Sequence, residues 1–354
     1  MSVRVRPGAP SGVESGEVVF RLSDPEHAVA GVRLWQDLGL PGDALDFAKV
    51  DAGWELRLTG PAVHRLEYLF EVRRPDGSVE LGLDPANPRR ASGPFGVKSV
   101  LELSGYAAPA WLGIEPIPAR LDDVRIAGTA VGQIDVQVWS PAGSEATEPL
   151  PLLVVHDGPE LAAHAALTRY AGAMVASARL PPFRLALAAP GRRNAWYSAD
   201  LDYAGALVHR VIPQLRQRFH CHAGPVLMGV SLGALAALHA EWAHPGAVGG
   251  LFLQSGSFFT LDTDPQEQDF EGYAAVTAFV GRVLRAPAAP SAPAVAMTCG
   301  FAEENVVNNR VMAGRLAELG VDVRLDESPD AHNFASWRDM LDPHLTSLLT
   351  RVWS

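Results

Sequence analysis

The chain has 354 residues, 48% of them hydrophobic, and a formal net charge of -11 at pH 7. This length predicts two domains, or one large domain with an appendage. The acidic balance argues against nucleic acid or an anionic membrane surface as the main partner, and no stretch is long and apolar enough to span a bilayer. Two cysteines leave no disulfide framework, and the first 17 residues lack the apolar core of a secretory signal, so we expect a cytoplasmic protein.

The amino-terminal part of the chain, up to about residue 106, carries strand signals and no helix of useful length. Alternation of apolar and polar residues predicts strands at 18–22, 32–35, 54–58 and 66–72, separated by Pro, Gly and Asp. We therefore predict that residues 1–106 form a small all-β, immunoglobulin-like sandwich. A stretch rich in proline and alanine at 107–118 predicts a linker to a domain spanning 119–354.

Strands alternate with helices in the rest of the chain, after a predicted hairpin at 124–126 and 134–139. Further strands are predicted at 152–155, 183–188, 226–230, 250–254, 294–298 and 321–325. Helices are predicted at 202–219, 304–319 and 334–352. This alternation predicts an α/β-hydrolase fold, a doubly wound and mostly parallel sheet with the functional site at the carboxyl ends of the strands.

One pentapeptide, Gly229-Val230-Ser231-Leu232-Gly233, has the pattern of a nucleophile elbow. It follows an apolar strand and opens a helix of small residues and leucines, which is the context that such an elbow demands. We predict that Ser231 is the nucleophile and that the Leu232 amide stabilises the developing oxyanion. The alternative is a structural strand-to-helix turn with an idle serine.

A serine nucleophile needs an imidazole to take its proton and a carboxylate to orient that imidazole. In this architecture the acid and then the histidine follow the serine along the chain. The strand at 294–298 runs into Glu303 and Glu304, and the final strand runs into His332. We predict a triad of Ser231, Glu303 and His332. Glu304 is the alternative acid, although it could instead stabilise the N-terminus of the following helix.

A second possible site, His220-Cys221-His222, places both histidines on one face of an extended segment. Too few further ligands lie nearby in the chain for a metal site, so we interpret the tripeptide as a solvated loop. We predict neither a metal nor an organic cofactor.

The amino-terminal region resembles the sandwich of glycogen-branching enzymes, a module whose relative occurs in enterochelin esterases. The resemblance rests on the strand positions and above all on Asp84-Pro85-Ala86-Asn87-Pro88 and Gly93-Pro94-Phe95-Gly96. In such modules these residues often maintain the fold rather than bind sugar. Glycan binding remains an alternative role for this domain.

The second domain resembles the enterochelin (ferric siderophore) esterase family, which is akin to feruloyl esterases and mycolyltransferases. The motifs that carry the resemblance are Val154-Val155-His156-Asp157-Gly158, Arg192-Arg193 ahead of Trp196-Tyr197-Ser198, the Ser231 elbow, Gln254-Ser255-Gly256-Ser257-Phe258, Gly300-x-x-Glu303, and His332 followed by Trp337-Arg338. The resemblance implies a serine esterase acting on a small-molecule ester. It does not specify the acyl group, the alcohol or the oligomeric state.

Two departures from that family bear on mechanism and substrate. Pro159 stands where relatives carry an amide donor to the oxyanion, and proline has no N–H. The second donor must then come from Gly158, Glu160 or a side chain. Trp196 stands where enterochelin esterases tend to have an acidic residue, which weakens the case for a triscatecholate substrate.

The segment 260–289 has apolar residues at helical spacing, which predicts either a crossover helix or a cap over the site. With the loop at 192–198, a cap would build an aromatic acyl pocket from Trp196, Tyr197 and Phe258. The leading hypothesis is an enterochelin esterase-like serine esterase, and its rivals are a carbohydrate, feruloyl-type or acetyl esterase. A catalytically silent glycan-binding or scaffolding protein is the alternative outside the enzymes.

Overall fold

The computed structural model describes residues 12–14, 17–38, 40, 42–59, 62–222 and 224–354. Most of the segment examined for a secretory signal therefore lies outside the described residues. The chain divides into two compact units. The first comprises residues up to 107 with Gly300–Glu304 and Pro329–His332, and the second comprises Ala108–Cys299, Asn305–Ser328 and Asn333–Ser354.

The first unit contains two antiparallel sheets among its described residues. Its strands are β1 (Gly12–Glu14), β2 (Glu17–Ser23), β3 (Gly31–Gln36), β4 (Ala48–Val50), β5 (Gly53–Thr59), β6 (Arg65–Arg73), β7 (Val79–Gly82), β8 (Arg90–Gly93) and β9 (Gly96–Glu102). One sheet has the order β1-β2-β5-β4, and the other has the order β3-β6-β9-β8 with β7 beside β6. Their apolar residues, among them Phe20, Leu34 and Phe70, form one buried core. This confirms the prediction of an all-β unit.

Each of the four strands predicted in this unit is present and extends one residue further at both ends. Period-2 alternation located these strands because it marks the buried face of a strand.

The Asp84-Pro85-Ala86-Asn87-Pro88 run lies inside the fold. The Tyr68 hydroxyl donates to Asp84 Oδ2 at 2.6 Å, and Asn87 Nδ2 donates to the carbonyl oxygen of Val100 at 2.7 Å. Asp84 and Asn87 are both buried, so these signature residues tie the sandwich together.

The second unit is built on a mixed sheet. Its strands are β10 (Ala119–Thr129), β11 (Gly132–Pro141), β12 (Leu152–Val155), β13 (Arg184–Ala188), β14 (Val226–Val230), β15 (Gly250–Gln254), β16 (Ala294–Gly300) and β17 (Val323–Ser328). The described strands pair in the order β10-β11-β13-β12-β14-β15-β16-β17. The hairpin of β10 and β11 is antiparallel to its neighbours, and the strands from β13 through β12, β14 and β15 to β16 pair in parallel.

Helices cover both faces of this sheet, as the α/β-hydrolase prediction requires. They are α1 (Gly158–His164), α2 (Leu167–Ala176), α3 (Arg193–Tyr197), α4 (Leu201–Ala206), α5 (Ile212–Phe219), α6 (Leu232–Ala243), α7 (Tyr273–Arg285), α8 (Val306–Glu318), α9 (Phe334–Asp339) and α10 (Thr346–Trp353). The two faces bury separate apolar clusters, one containing Leu253 and Met297 and the other containing Val155 and Phe252. The predicted fold class is thus confirmed. Among the described residues, none of the helices has the length and apolar character needed to cross a bilayer.

The predicted helix at 334–352 is interrupted. Between α9 and α10 lies a π-helical turn, Leu341–Leu345, in which Asp342 has extended dihedral angles (φ -121°, ψ 124°). The cause is Pro343, since the ring of a proline disfavours the helical region for the residue before it. The apolar periodicity runs through this break, so the pattern alone indicates one helix.

Helix α7 occupies the segment for which a cap was the alternative. Its buried face includes Val276, Phe279 and Val283, which belong to the same core as Leu253 of β15 and Met297 of β16. Helix α7 is therefore the crossover helix between these two parallel strands.

Candidate active site

Ser231 lies directly after β14, in a strained conformation (φ 55°, ψ -125°) at the start of α6. Few non-glycine residues adopt a positive φ, and such strain persists where the surrounding structure enforces it. Here the Ser231 amide donates to the carbonyl oxygen of Gln254 at 2.9 Å, which fixes the turn against the end of β15. The hydroxyl is thereby presented at the carboxyl edge of the sheet.

The two glycines of the elbow allow strand and helix to approach closely. A Cβ on Gly229 would lie 2.1 Å from the carbonyl oxygen of Gly233, and one on Gly233 would lie 3.1 Å from Cβ of His156. The first of these distances is impossible for a real side chain, so a substitution at Gly229 would displace the helix that begins at Leu232.

Glu303 and His332 form a hydrogen-bonded pair in the first unit. His332 Nδ1 lies 2.7 Å from Glu303 Oε2, and the Glu303 side chain has no exposed surface whereas that of His332 is 22% exposed. Glu303 Oε1 also accepts a hydrogen bond from the Gly300 amide at 3.1 Å. A buried carboxylate that is held at both oxygens fixes the orientation of the imidazole bonded to it.

Glu304, the alternative acid, is exposed and lies two residues before the start of α8. The structure therefore brings Glu303, and not Glu304, to His332. The loops that contain Ser231, Glu303 and His332 follow β14, β16 and β17 of the same sheet.

The loop after β12 contains the two remaining backbone candidates for the oxyanion site. Asp157 is left-handed (φ 52°), and α1 begins at Gly158. The Leu161 amide is the first to bond within this turn, to the carbonyl oxygen of Asp157 at 3.0 Å. Of the three residues before it, Pro159 has no N–H, so the amides of Gly158 and Glu160 are the donors that this turn offers.

Arg193 holds Asp157 in place. Its Nε lies 2.9 Å from Oδ1 and its Nη2 lies 2.9 Å from Oδ2 of the carboxylate, which is almost fully buried. Burial lowers the pKa of Arg193, but its hydrogen bonds and attraction to Asp157 outweigh this effect and the net pKa is raised. The Tyr197 hydroxyl accepts a hydrogen bond from the Asp157 amide at 3.2 Å. Side chain and backbone of Asp157 are thus both fixed next to Gly158.

His156, which precedes this pair, is a neutral core residue. Burial lowers its pKa to about 4, and its ring packs edge-on against Tyr197 at 5.1 Å between centroids. Its Nδ1 lies 3.2 Å from the carbonyl oxygen of Met228 on β14. His156 therefore links the loop after β12 to the nucleophile strand.

The three aromatic residues predicted to line an acyl pocket are packed into the core. Trp196 stacks on Tyr203 with centroids 5.4 Å apart, and burial raises the pKa of Tyr197 well above its usual value. Phe258 is fully buried, with its ring against Gly256. All three rings are largely covered by protein, which is the environment of packing residues, and their role in an acyl pocket stays a prediction.

Ser257, on the loop after β15, belongs to a motif noted in the sequence but was given no role there. Its hydroxyl oxygen lies 3.3 Å from Ser231 Oγ. The signal that could have found it is topological, because the strand after the elbow is the parallel neighbour of β14 and ends at the same edge of the sheet. In the part of the chain that the structure describes, no group of three or more His, Cys, Asp or Glu side chains has the arrangement of a metal site.

Comparisons with known proteins identify the family of this chain and its fold. Residues 129–348 match the model of the family described as "Putative esterase". No curated protein matches the chain significantly in sequence.

Among solved structures, the ferric enterobactin esterase of Salmonella typhimurium has a TM-score of 0.78 at 20% identity, with 96% of this chain and 95% of that chain covered. The enterobactin esterase FES of Shigella flexneri has a TM-score of 0.75 at 18% identity, covering 96% and 94%. A ferulic acid esterase has a TM-score of 0.56 at 14% identity, covering 67% of this chain and all of that chain (100%). At these identities the likeness is one of fold.

Proposed function

The chain belongs to the Esterase family, and on that premise we propose that it is a serine esterase that hydrolyses a carboxylic ester through an acyl-enzyme intermediate. The observation that carries the proposal is the buried Glu303–His332 hydrogen bond of 2.7 Å, on loops that follow β16 and β17 of the sheet in which β14 ends at the strained Ser231. We place the catalytic domain at residues 119–354, after the domain at 1–106 and the linker at 107–118.

In the proposed mechanism, His332 takes the proton of Ser231 while Oγ bonds to the carbonyl carbon of the ester. The carbonyl electron pair moves to the oxygen, and the resulting oxyanion accepts hydrogen bonds from the Leu232 amide and from Gly158 or Glu160. As the tetrahedral intermediate collapses, the bond to the alkoxide breaks and His332 protonates the leaving alcohol. Glu303 stabilises the imidazolium that forms between these steps.

Water then releases the acid in a second half-reaction, in which water is the nucleophile and Ser231 is the leaving group. His332 accepts a proton from the water as its oxygen bonds to the acyl carbon, and it returns that proton to Ser231 Oγ as the acyl bond breaks. These steps need only the side chains and amides named above.

The position of Asp157 supports the assignment of Gly158 as the second oxyanion donor. The carboxylate is held by Arg193, and the ideal Cβ of Gly158 would lie 2.3 Å from Cα of Leu187 on β13. The Gly158 backbone is therefore fixed on both sides. A fixed amide dipole stabilises a developing charge without the cost of reorganisation.

The experiment that tests the proposal is labelling of the full chain with a fluorophosphonate, in which Ser231 Oγ bonds to phosphorus and fluoride leaves. We expect the native protein to be labelled and Ser231→Ala not to be labelled, with esterase activity reduced by several orders of magnitude in the variant. An unlabelled native protein would refute the proposal and favour a catalytically silent glycan-binding or scaffolding protein. An equally labelled variant would refute it by showing that the reactive nucleophile is not Ser231.

We propose an aryl or acyl ester as the class of substrate. The structural neighbours are named for enterobactin and for ferulic acid, so a panel of catecholate, feruloyl and short-chain acyl esters distinguishes an enterochelin esterase-like activity from a feruloyl or acetyl esterase. The ratio of kcat/KM values between panel members identifies the preferred class.

A further inference from the structure

In the second unit, the hydroxyl of the proposed nucleophile contacts another serine. Ser257 Oγ lies 3.3 Å from Ser231 Oγ, and the Ser257 amide donates to the carbonyl oxygen of Ser231 at 3.2 Å. Ser257 is 2% exposed, so its hydroxyl contacts Ser231 instead of solvent. Burying a hydroxyl without a hydrogen-bond partner costs free energy of folding, so the contact with Ser231 Oγ is best explained as a hydrogen bond.

Topology places Ser257 on the opposite side of the nucleophile from the oxyanion donors. Strand β15, which precedes Ser257, lies between β14 and β16, whereas β12 and Gly158 lie on the other side of β14. In a trans peptide the C=O and N–H groups point in opposite directions. Because the Ser257 amide binds the carbonyl oxygen of Ser231, it lies on the side away from the Leu232 N–H.

A buried network fixes the loop that presents Ser257. The Gly256 amide donates to Asn309 Oδ1 at 3.0 Å, and Asn309 Nδ2 donates back to the carbonyl oxygen of Gly256 at 2.7 Å. Trp337 Nε1 donates to Ser255 Oγ at 3.0 Å. Ser255 itself has a positive φ of 48°. Strain at a non-glycine residue, held by a network of this kind, is typical of functional loops.

We propose that Ser257 is a further catalytic residue, whose hydroxyl donates a hydrogen bond to Ser231 Oγ; this rests on the proposed function. Since the Ser231 proton is transferred to His332, the proton in the contact between the two serines belongs to Ser257, which keeps it throughout. The hydrogen bond stabilises the negative charge that develops on Oγ as its proton leaves, and again as the acyl bond to Oγ breaks.

The test compares Ser257→Ala with Ser255→Ala and Ser257→Thr in the full chain. Ser255→Ala is the matched control, because it removes a buried hydroxyl from the same loop without touching Ser231. We expect Ser257→Ala to lower kcat and the rate of fluorophosphonate labelling about tenfold with KM unchanged, as for an interaction made in the transition state. Thermal melting of each variant reports stability separately.

Ser257→Thr, which keeps the hydroxyl, should recover most of the labelling rate. Labelling of Ser257→Ala at the native rate would overturn the inference, as would an equal loss of rate in Ser255→Ala or a folded Ser257→Thr as slow as the alanine variant. These outcomes leave the proposed function intact, since it depends on labelling of the native protein and its loss in Ser231→Ala. Failure of the native protein to react would remove both.

Discussion

Glu303 Oε2 lies 2.7 Å from His332 Nδ1, and the same carboxylate accepts the Gly300 amide through its other oxygen. This arrangement predicts that Glu303→Gln impairs turnover by a factor on the order of 10⁴, as loss of the acid does in other triads. A glutamine at this position leaves the imidazolium without a counter-charge. Steady-state kcat with a reactive aryl ester measures the effect.

The matched control is Glu304→Gln. Glu304 is exposed and adjacent in the chain, so its substitution changes the charge of the loop equally but leaves the pair intact. We expect kcat within about twofold of the native value, because surface substitutions of this kind rarely matter. If Glu304→Gln were the variant with the large defect, the acid would have to be reassigned.

A second prediction concerns Arg193 and Asp157. Arg193→Gln would leave a nearly buried carboxylate without its bidentate partner beside Gly158. We expect a loss of about 2–4 kcal/mol in the free energy of unfolding, moderated because Arg193 is partly open to solvent. Urea denaturation measures it, and kcat should fall as the Gly158 amide loses its fixed position.

Arg192→Gln is the control for that experiment, since Arg192 is exposed and is the residue before α3. We expect its stability to change by no more than about 0.5 kcal/mol. Equal stability of the two variants would mean that the ion pair of Arg193 has no structural role.

The elements and the elbow could be predicted from the sequence because each depends on a local pattern. Alternation marks β2 and β6, and the strand-glycine-serine-glycine-helix pattern marks Ser231. Trp196 lies on the short helix α3 and Phe258 on the loop after β15, and the burial of each ring depends on contacts with residues such as Tyr203 and Gly256. Segments this short have no periodicity that would reveal these contacts.

The contact between Ser257 and Ser231 was missed for a similar reason. Both residues follow parallel strands, but only the strand order shows that β14 and β15 are neighbours. The two residues are 26 positions apart, helix α6 and strand β15 lie between them, and no motif joins them. The contact between the two serines can therefore be recognised from the tertiary structure but not from the sequence pattern.

A third prediction tests the packing role of the aromatic residues. Phe258→Ala should lower the free energy of unfolding by about 3–5 kcal/mol, the range for deletion of a fully buried ring. The ratio of kcat/KM values between aryl and short acyl esters should stay unchanged, because the ring has no free face for substrate. A stable variant with an altered ratio would instead establish the aromatic acyl pocket.

A fourth prediction concerns stability in acid. Burial lowers the pKa of His239 from its ordinary value of 6.5 to about 4, and its ring packs edge-on against Phe279 at 4.8 Å between centroids. Between these two pKa values the unfolded chain binds a proton that the folded chain does not, so stability is full above pH 6.5 and is lost as the pH falls toward 4. At pH 5 the loss of stability from this group relative to pH 7 is about 2 kcal/mol.

In the variant His239→Phe, the phenyl ring retains the contact with Phe279 and cannot titrate. Chemical denaturation at pH 7 and pH 5 should therefore show a smaller decrease for the variant than for the native protein. Equal decreases would show that His239 is protonated in the folded state at pH 5.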